Sequence, residues 1–255
     1  MCLIAFAWRA HPRYELILAA NRDEFHRRPA EAAAFWPEAS QLLAGRDLTQ
    51  GGTWCGVTRT GRVAAVTNYR DPSMAEAGKR SRGWLVRDYL LGNEDADVAA
   101  EAIEARKQQY SEFNLLLGDR QGLWYVGSRA PGPQAVGAGV HGISNGAFDL
   151  EWPKVRHASA GLQALLAEER ISPEGLFDVL ASRHIARDNE LPNTGVGLQV
   201  ERFLSAPFIV SEAYGTRAST VILVERDGKT RFVERRFNAA GEYTGETDER
   251  FSAGT

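Results

Sequence analysis

The chain of 255 residues carries 30 Lys and Arg against 33 Asp and Glu, a formal charge of -3, with 44% hydrophobic, 25% charged and 9% aromatic residues. These are globular values, which exclude a disordered or fibrous chain, and no apolar run nears the roughly 20 residues that cross a bilayer. Charge this balanced leaves no excess of cations to neutralise nucleic-acid phosphates, so a nucleic-acid partner is not expected.

The start, Met1 to Trp8, is apolar but has no positive leader and meets charge too soon for a secretory signal. It is expected to belong to the fold. Residues 2–8 and 15–21 are apolar runs of strand length joined by His11-Pro12-Arg13, and they read as a buried hairpin. A polar, Pro-containing stretch follows to about residue 50. Gly51-Gly52 and Thr60-Gly61 then bracket Thr53 to Thr58 and lead into Val63 to Asn68, a second hairpin. From Gly83 the apolar period lengthens, predicting two amphipathic helices broken near Gly92-Asn93. Strands are expected at 113–118 and 123–126, turns around short strands from 127 to 142, and helices at about 153–168 and 173–181. A loop at 188–197 precedes strands near 206–211, 218–226 and 230–237.

Strands in antiparallel pairs with helices gathered between them predict α+β packing, not a doubly wound parallel sheet. No repeat or low-complexity tract divides the chain, so residues 1–255 are expected to form a single domain. No Gly-rich phosphate loop follows any expected strand. The two cysteines, Cys2 and Cys55, cannot make a disulfide framework, and the five histidines have no zinc-ligand spacing. No metal or cofactor is therefore expected, and a reducing cytoplasm fits.

Cys2 is the leading candidate for chemistry. Removal of Met1, usual before a small second residue, places a thiol and a free α-amino group on one residue. Reference pKa values near 8.5 and 7.7–8.0 let the amine serve as the thiol's own base. A buried strand cysteine is the plain alternative. Asn21-Arg22-Asp23-Glu24 falls where the second strand should end, opposite the N-terminus, where an Arg would lower a thiol pKa and an Asp would hold an ammonium group. Asn68 and Asn145 stand at strand ends as amide donors suited to an oxyanion, although Asn beside turns is common. Arg217 precedes a late strand and is placed to hold a substrate carboxylate or support a thiolate. Thr53 and Trp54 are candidate pocket residues, and Cys55, one position on, is expected on the opposite side from Trp54 as a structural thiol. Arg27-Arg28 and Lys79-Arg80 read as solvated surface.

The run Met1-Cys2 with Ile4, then Leu16 to Phe25 (LILAANRDEF) with Arg28-Pro29, resembles the NRDE family, the transport and Golgi organisation protein 2 homologues. Gly51 to Val57, Ala65 to Tyr69, Gly142 to Asn145, Trp152-Pro153-Lys154 and Tyr214 to Arg217 follow in the family's order. The family is similar to the N-terminal nucleophile hydrolases of the penicillin V acylase and bile salt hydrolase group. The resemblance implies a four-layer αββα sandwich with two antiparallel sheets. It implies Cys2 as nucleophile, Asp23 as holder of the amine, Arg22 as tuner of the thiol, Asn68 and Asn145 as oxyanion donors and Arg217 as a supporting cation. Asn21, Thr53 and Trp54 are expected to bind substrate. Arg22 and Asp23 are adjacent where the acylases separate the two by three positions, so strand alternation should point them apart. Two functions follow: a cysteine hydrolase of a small amide or acyl substrate, or a non-catalytic carrier of haem or lipid on the same fold.

Overall fold

The computed structural model describes residues 2–72 and 79–252. Met1, expected to be removed, lies outside them. Six strands open the chain: β1 (Cys2–Trp8), β2 (Tyr14–Phe25), β3 (Ala30–Trp36), β4 (Ala39–Asp47), β5 (Cys55–Thr58) and β6 (Val63–Asn68). Helices α1 (Gly83–Leu91) and α2 (Ala96–Glu104) follow, then β7 (Phe113–Gly118), β8 (Leu123–Gly127), β9 (Gln134–Ala135) and β10 (Gly139–Ile143). Helices α3 (Pro153–Ala167), α4 (Pro173–Leu180) and α5 (Leu198–Phe203) lead to the closing strands β11 (Tyr214–Glu225), β12 (Lys229–Phe237) and β13 (Tyr243–Ser252).

All strand pairs are antiparallel. One sheet runs β10-β1-β2-β11-β12-β13 and the other β3-β4-β5-β6-β7-β8-β9. Alternation along each strand distributes its apolar residues to two faces. Ile4, Phe6, Trp8, Leu18 and Ile222 of the first sheet meet Leu43, Val57, Ala65 and Leu116 of the second. Leu3, Ala5, Ala7, Ile17 and Val221 turn the other way, onto Val155, Ala158 and Leu162 of α3 and Leu176 and Leu180 of α4. On the far side, Leu42, Ala64, Leu115 and Leu117 pack against Leu85, Val86 and Leu90 of α1 and Ala99 and Ile103 of α2. The layers are thus helix, sheet, sheet, helix, an α+β sandwich. Burial on both faces is why β1 and β2 read as unbroken apolar runs. No helix among the described residues is long and apolar enough to cross a membrane.

Several expectations need correction. The stretch before residue 50 is the hairpin β3–β4, whose exposed polar residues and bulged register hid its period. Residues 206–211 form no strand; Phe208 N–H instead donates to the Ser182 carbonyl and Ile209 N–H to Thr216 Oγ1. β13 was not anticipated, because an edge strand of alternating exposed charges has too little apolar pattern to show. The Asn21 to Glu24 tetrad does not end β2. The strand continues to Phe25, paired with β11 on its other side, and buries Asn21, Arg22 and Asp23.

Candidate active site

Cys2 stands at the start of β1, in register with Arg22 on β2. Both share the alternation of Ile4 and Ala20, so both side chains face the layer between the sheets. That layer is hydrocarbon further in, but at this end it opens into a cleft of about 250 Å³ lined by Cys2, Arg22, Asp23, Thr53, Trp54 and Asn68 among others. Cys2 is half-buried and so reachable. Cys55 is sealed, and burial pushes its thiol far above the ordinary range, with Glu234 and Cys2 adding to the effect. Trp54 and Cys55 do not face opposite ways as alternation suggested. Trp54 precedes the first residue of β5, outside the pleat, and both pack against the inter-sheet core.

The Arg22 guanidinium lies over the Trp54 ring, 4.2 Å from its centroid. Gly45 on β4 makes room for that ring: a Cβ there would sit 2.2 Å from Trp54 Cη2. Arg22 is only 7% exposed, yet among the described residues no carboxylate pairs with its guanidinium. A desolvated cation held by a π face, beside a cysteine, favours negative charge in the cleft. Arg28, expected on the surface, also lines the cleft and pairs with Asp47 at 2.5 Å. Lys79 and Arg80 line it as well.

Asp23 faces the helix layer, away from Arg22, as alternation predicted. Its Oδ1 accepts from Thr216 Oγ1 at 2.7 Å and its Oδ2 lies 3.9 Å from Lys154 Nζ on α3. Burial pushes the Asp23 carboxyl up, opposed by Lys154 and by the Thr216 hydrogen bond. Lys154 is itself buried, and desolvation brings it down to about 8 against the pull of Asp23.

Asn68, at the end of β6, lines the cleft. Asn145 does not: it is fully buried, and its Nδ2 donates 2.7 Å to the Asn68 carbonyl. Its loop is held across the two sheets. Asn114 Nδ2 on β7 donates to the carbonyls of Gly146 at 2.9 Å and Ser144 at 3.3 Å, and Thr67 Oγ1 donates to Ser144 O as well. Ser144 Oγ in turn reaches the Cys2 carbonyl at 2.9 Å.

Two further residues from the sequence reading lie outside the cleft. Asn21 is consumed structurally: its Nδ2 donates to the carbonyls of Leu180 and Pro207 at 3.0 and 2.9 Å, and its Oδ1 accepts from Ser219 at 2.6 Å. Arg217 sits in a bulge of β11 and donates to the Arg28 and Phe25 carbonyls. Burial and the nearby Arg22 lower its pKa. Thr53 lines the cleft, with its hydroxyl donating to the Cys55 carbonyl at 3.2 Å.

Lys154, Ser144, Asn114 and the buried Arg70–Glu201 pair were missed by sequence reasoning. Lys154 had a signal, since it directly follows Trp152-Pro153 at a helix start. Ser144 lies inside the Gly142 to Asn145 run; the others are scattered polar residues that only packing brings together. A larger cavity of about 560 Å³, lined by Phe177, Phe208, Phe237 and Tyr243 among others, lies elsewhere on the first sheet and holds neither cysteine.

Two inner antiparallel sheets between helix layers are the architecture of the N-terminal nucleophile hydrolases. The structure is similar to a Caenorhabditis elegans N-acylethanolamine-hydrolyzing acid amidase ortholog, with a TM-score of 0.52 at 10% identity over 87% of this chain and 92% of that one. It is also similar to a mutant conjugated bile acid hydrolase from Clostridium perfringens, with a TM-score of 0.53 at 9% identity over 99% and 92% of the two chains. At such identities the likeness carries the fold alone. The family described as Transport and Golgi organisation 2 matches residues 1–239, and the chain belongs to it. Its Bos taurus homolog is 34% identical over 259 residues and its Homo sapiens homolog 32% over 260, each alignment covering 92% of both chains. The Drosophila melanogaster protein is 29% identical over 265 residues, 92% of this chain and 91% of that one.

Proposed function

We propose that the protein is a cysteine N-terminal nucleophile hydrolase that cleaves a small amide or related acyl substrate through an acyl-enzyme on Cys2. The observation that carries this reading is the half-buried Cys2 at the edge of a polar cleft, beside a buried guanidinium with no carboxylate partner among the described residues. The Cys2 thiolate attacks the carbonyl carbon and a C–S bond forms. The Asn68 side chain donates to the oxyanion, a contribution of about 2.7–4 kcal/mol when preorganised. Asn145, bonded to the Asn68 carbonyl, holds that residue in place. The C–N bond then breaks, and the amine leaves with the proton that the Cys2 α-amino group collected. Water releases the acyl group from the thioester. Asp23 provides the charge that keeps the amine at the site, and Arg22 stabilises the thiolate. The cleft's volume and polar lining favour a small, polar substrate, with Arg22 and Arg28 suited to an anionic group.

Intact-mass analysis tests the first requirement: loss of Met1. An electrophilic acyl probe should then add to Cys2, and Cys2→Ala should abolish both labelling and turnover. A soluble protein that retains Met1 overturns the mechanism, because its amine is then locked in a peptide bond.

A second reading, a carrier of haem or lipid, is favoured by the aromatic-lined 560 Å³ cavity away from Cys2. It expects binding of haem or a fatty acid to be unchanged in Cys2→Ala.

A further inference from the structure

Lys154 is one of four lysines in the chain, and its side chain is only 1% exposed. It is the second residue of α3, after Pro153, so its ammonium lies near the positive end of a 15-residue helix. A cation is disfavoured there by the helix dipole and again by loss of water. An apolar residue of similar volume often packs such a position at least as favourably. The contacts do not repay the burial as tight hydrogen bonds would: Nζ is 3.9 Å from Asp23 Oδ2 and 3.5 Å from Asn145 Oδ1.

What those contacts do is set the state of Asp23, which lines the cleft, and of Asn145, which is buried behind it. An ammonium only donates, so it turns the Asn145 oxygen toward itself and the Asn145 Nδ2 toward the Asn68 carbonyl. It also opposes the burial that drives Asp23 to its neutral form. Resting on the reading of Cys2 as nucleophile, we infer that Lys154 is a positioning residue, whose buried charge keeps Asp23 ionised, fixes the Asn145–Asn68 pair and raises the reactivity of Cys2.

The titratable and charged groups that face Lys154 are Cys2 on β1, Asp23 on β2 and Arg70 after β6. One step further out, Tyr214 Oη on β11 donates 3.0 Å to the Asp23 carbonyl and Glu201 on α5 pairs with Arg70. Desolvation, with Arg70 adding to it, holds Lys154 at about 8, so its charge is present at neutral pH and lost in mildly alkaline solution.

The test is the rate of alkylation of Cys2 by iodoacetamide from pH 6.5 to 9.5, which needs no turnover; sealed Cys55 gives the background. At pH 7 the wild type should react roughly tenfold faster than Lys154→Met, and Lys154→Arg should stay within about twofold of wild type. The advantage of wild type over Lys154→Met should shrink as pH rises through about 8, while that of Lys154→Arg persists. A folded Lys154→Met that alkylates at the wild-type rate at pH 7 overturns the inference. Should that variant fail to fold, the ratio of wild type to Lys154→Arg carries the test: it should fall as pH rises from 7 to 9.5, and a flat ratio overturns the inference. A Lys154 effect without amide turnover would sink the hydrolase reading and leave this linkage standing.

Discussion

Cys2 and Cys55 face the same layer between the sheets, yet one opens on a polar cleft and the other is enclosed in hydrocarbon. The inner part of that layer is built of Ile4, Phe6, Leu18, Val57, Ala65 and Leu116, each side chain contributing about 1.5–3 kcal/mol by burial. At the end where β1 begins, the same two sheets carry Arg22, Trp54 and Asn68 instead. The contrast teaches that the reactivity of a thiol in this sandwich depends on its place along the layer, since burial raises the Cys55 thiol while the cleft reaches Cys2. It also shows that the open end is held by charge and hydrogen bonds where the closed part is held by apolar packing.

If that division is correct, substitutions at the open end should expose buried charge. Glu201→Ala should have the largest effect, a loss of about 3–5 kcal/mol in denaturant unfolding, because it removes the carboxylate that pairs with the buried Arg70. A loss below about 1 kcal/mol would break the comparison. Gly45→Ala comes next. The new Cβ cannot coexist with the Trp54 ring, so the ring must leave Arg22, at a cost of about 1–3 kcal/mol with a change in tryptophan fluorescence. Cys55→Ala in the closed part should cost about 1 kcal/mol by the same denaturant measurement and leave Cys2 labelling intact.

The smallest effect sharpens the boundary between the regions. His141 on β10 packs on Phe6, at 5.3 Å between ring centroids, and its Nδ1 lies 2.7 Å from Asp149 Oδ2. That hydrogen bond raises the His141 pKa above its usual 6.5, against the opposing effect of burial. The stabilisation is therefore full below pH 6.5 and is lost as pH rises through the folded value. Because the Asp149 side chain is 41% exposed, the loss should be on the order of 0.5 kcal/mol, read as a slightly lower Tm at pH 8.5 than at pH 5.5. Asp149→Asn should remove this part of the pH dependence.

The β1–β2 and β5–β6 hairpins, both pairs of helices and the α+β class were legible in the sequence alone. Each contains an apolar run or period strong enough to read without a partner. The sequence also implied that Arg22 and Asp23 point apart, while the structure decided that Arg22 turns to the inter-sheet layer and Asp23 to the helices. The edge strands β3 and β13, and β4 beside β3, were not legible, since exposed polar residues dilute their pattern. Only the tertiary structure decided that Lys154 reaches Asp23, that Asn145 spends an amide proton on Asn68, and that Asn21 and Arg217 lie outside the cleft. Those contacts join segments from β1, β2, β6, the loop after β10 and α3, whose separation along the chain carries no local signal. A buried polar group must find its partner through packing, and which partner it finds depends on where the whole fold places it.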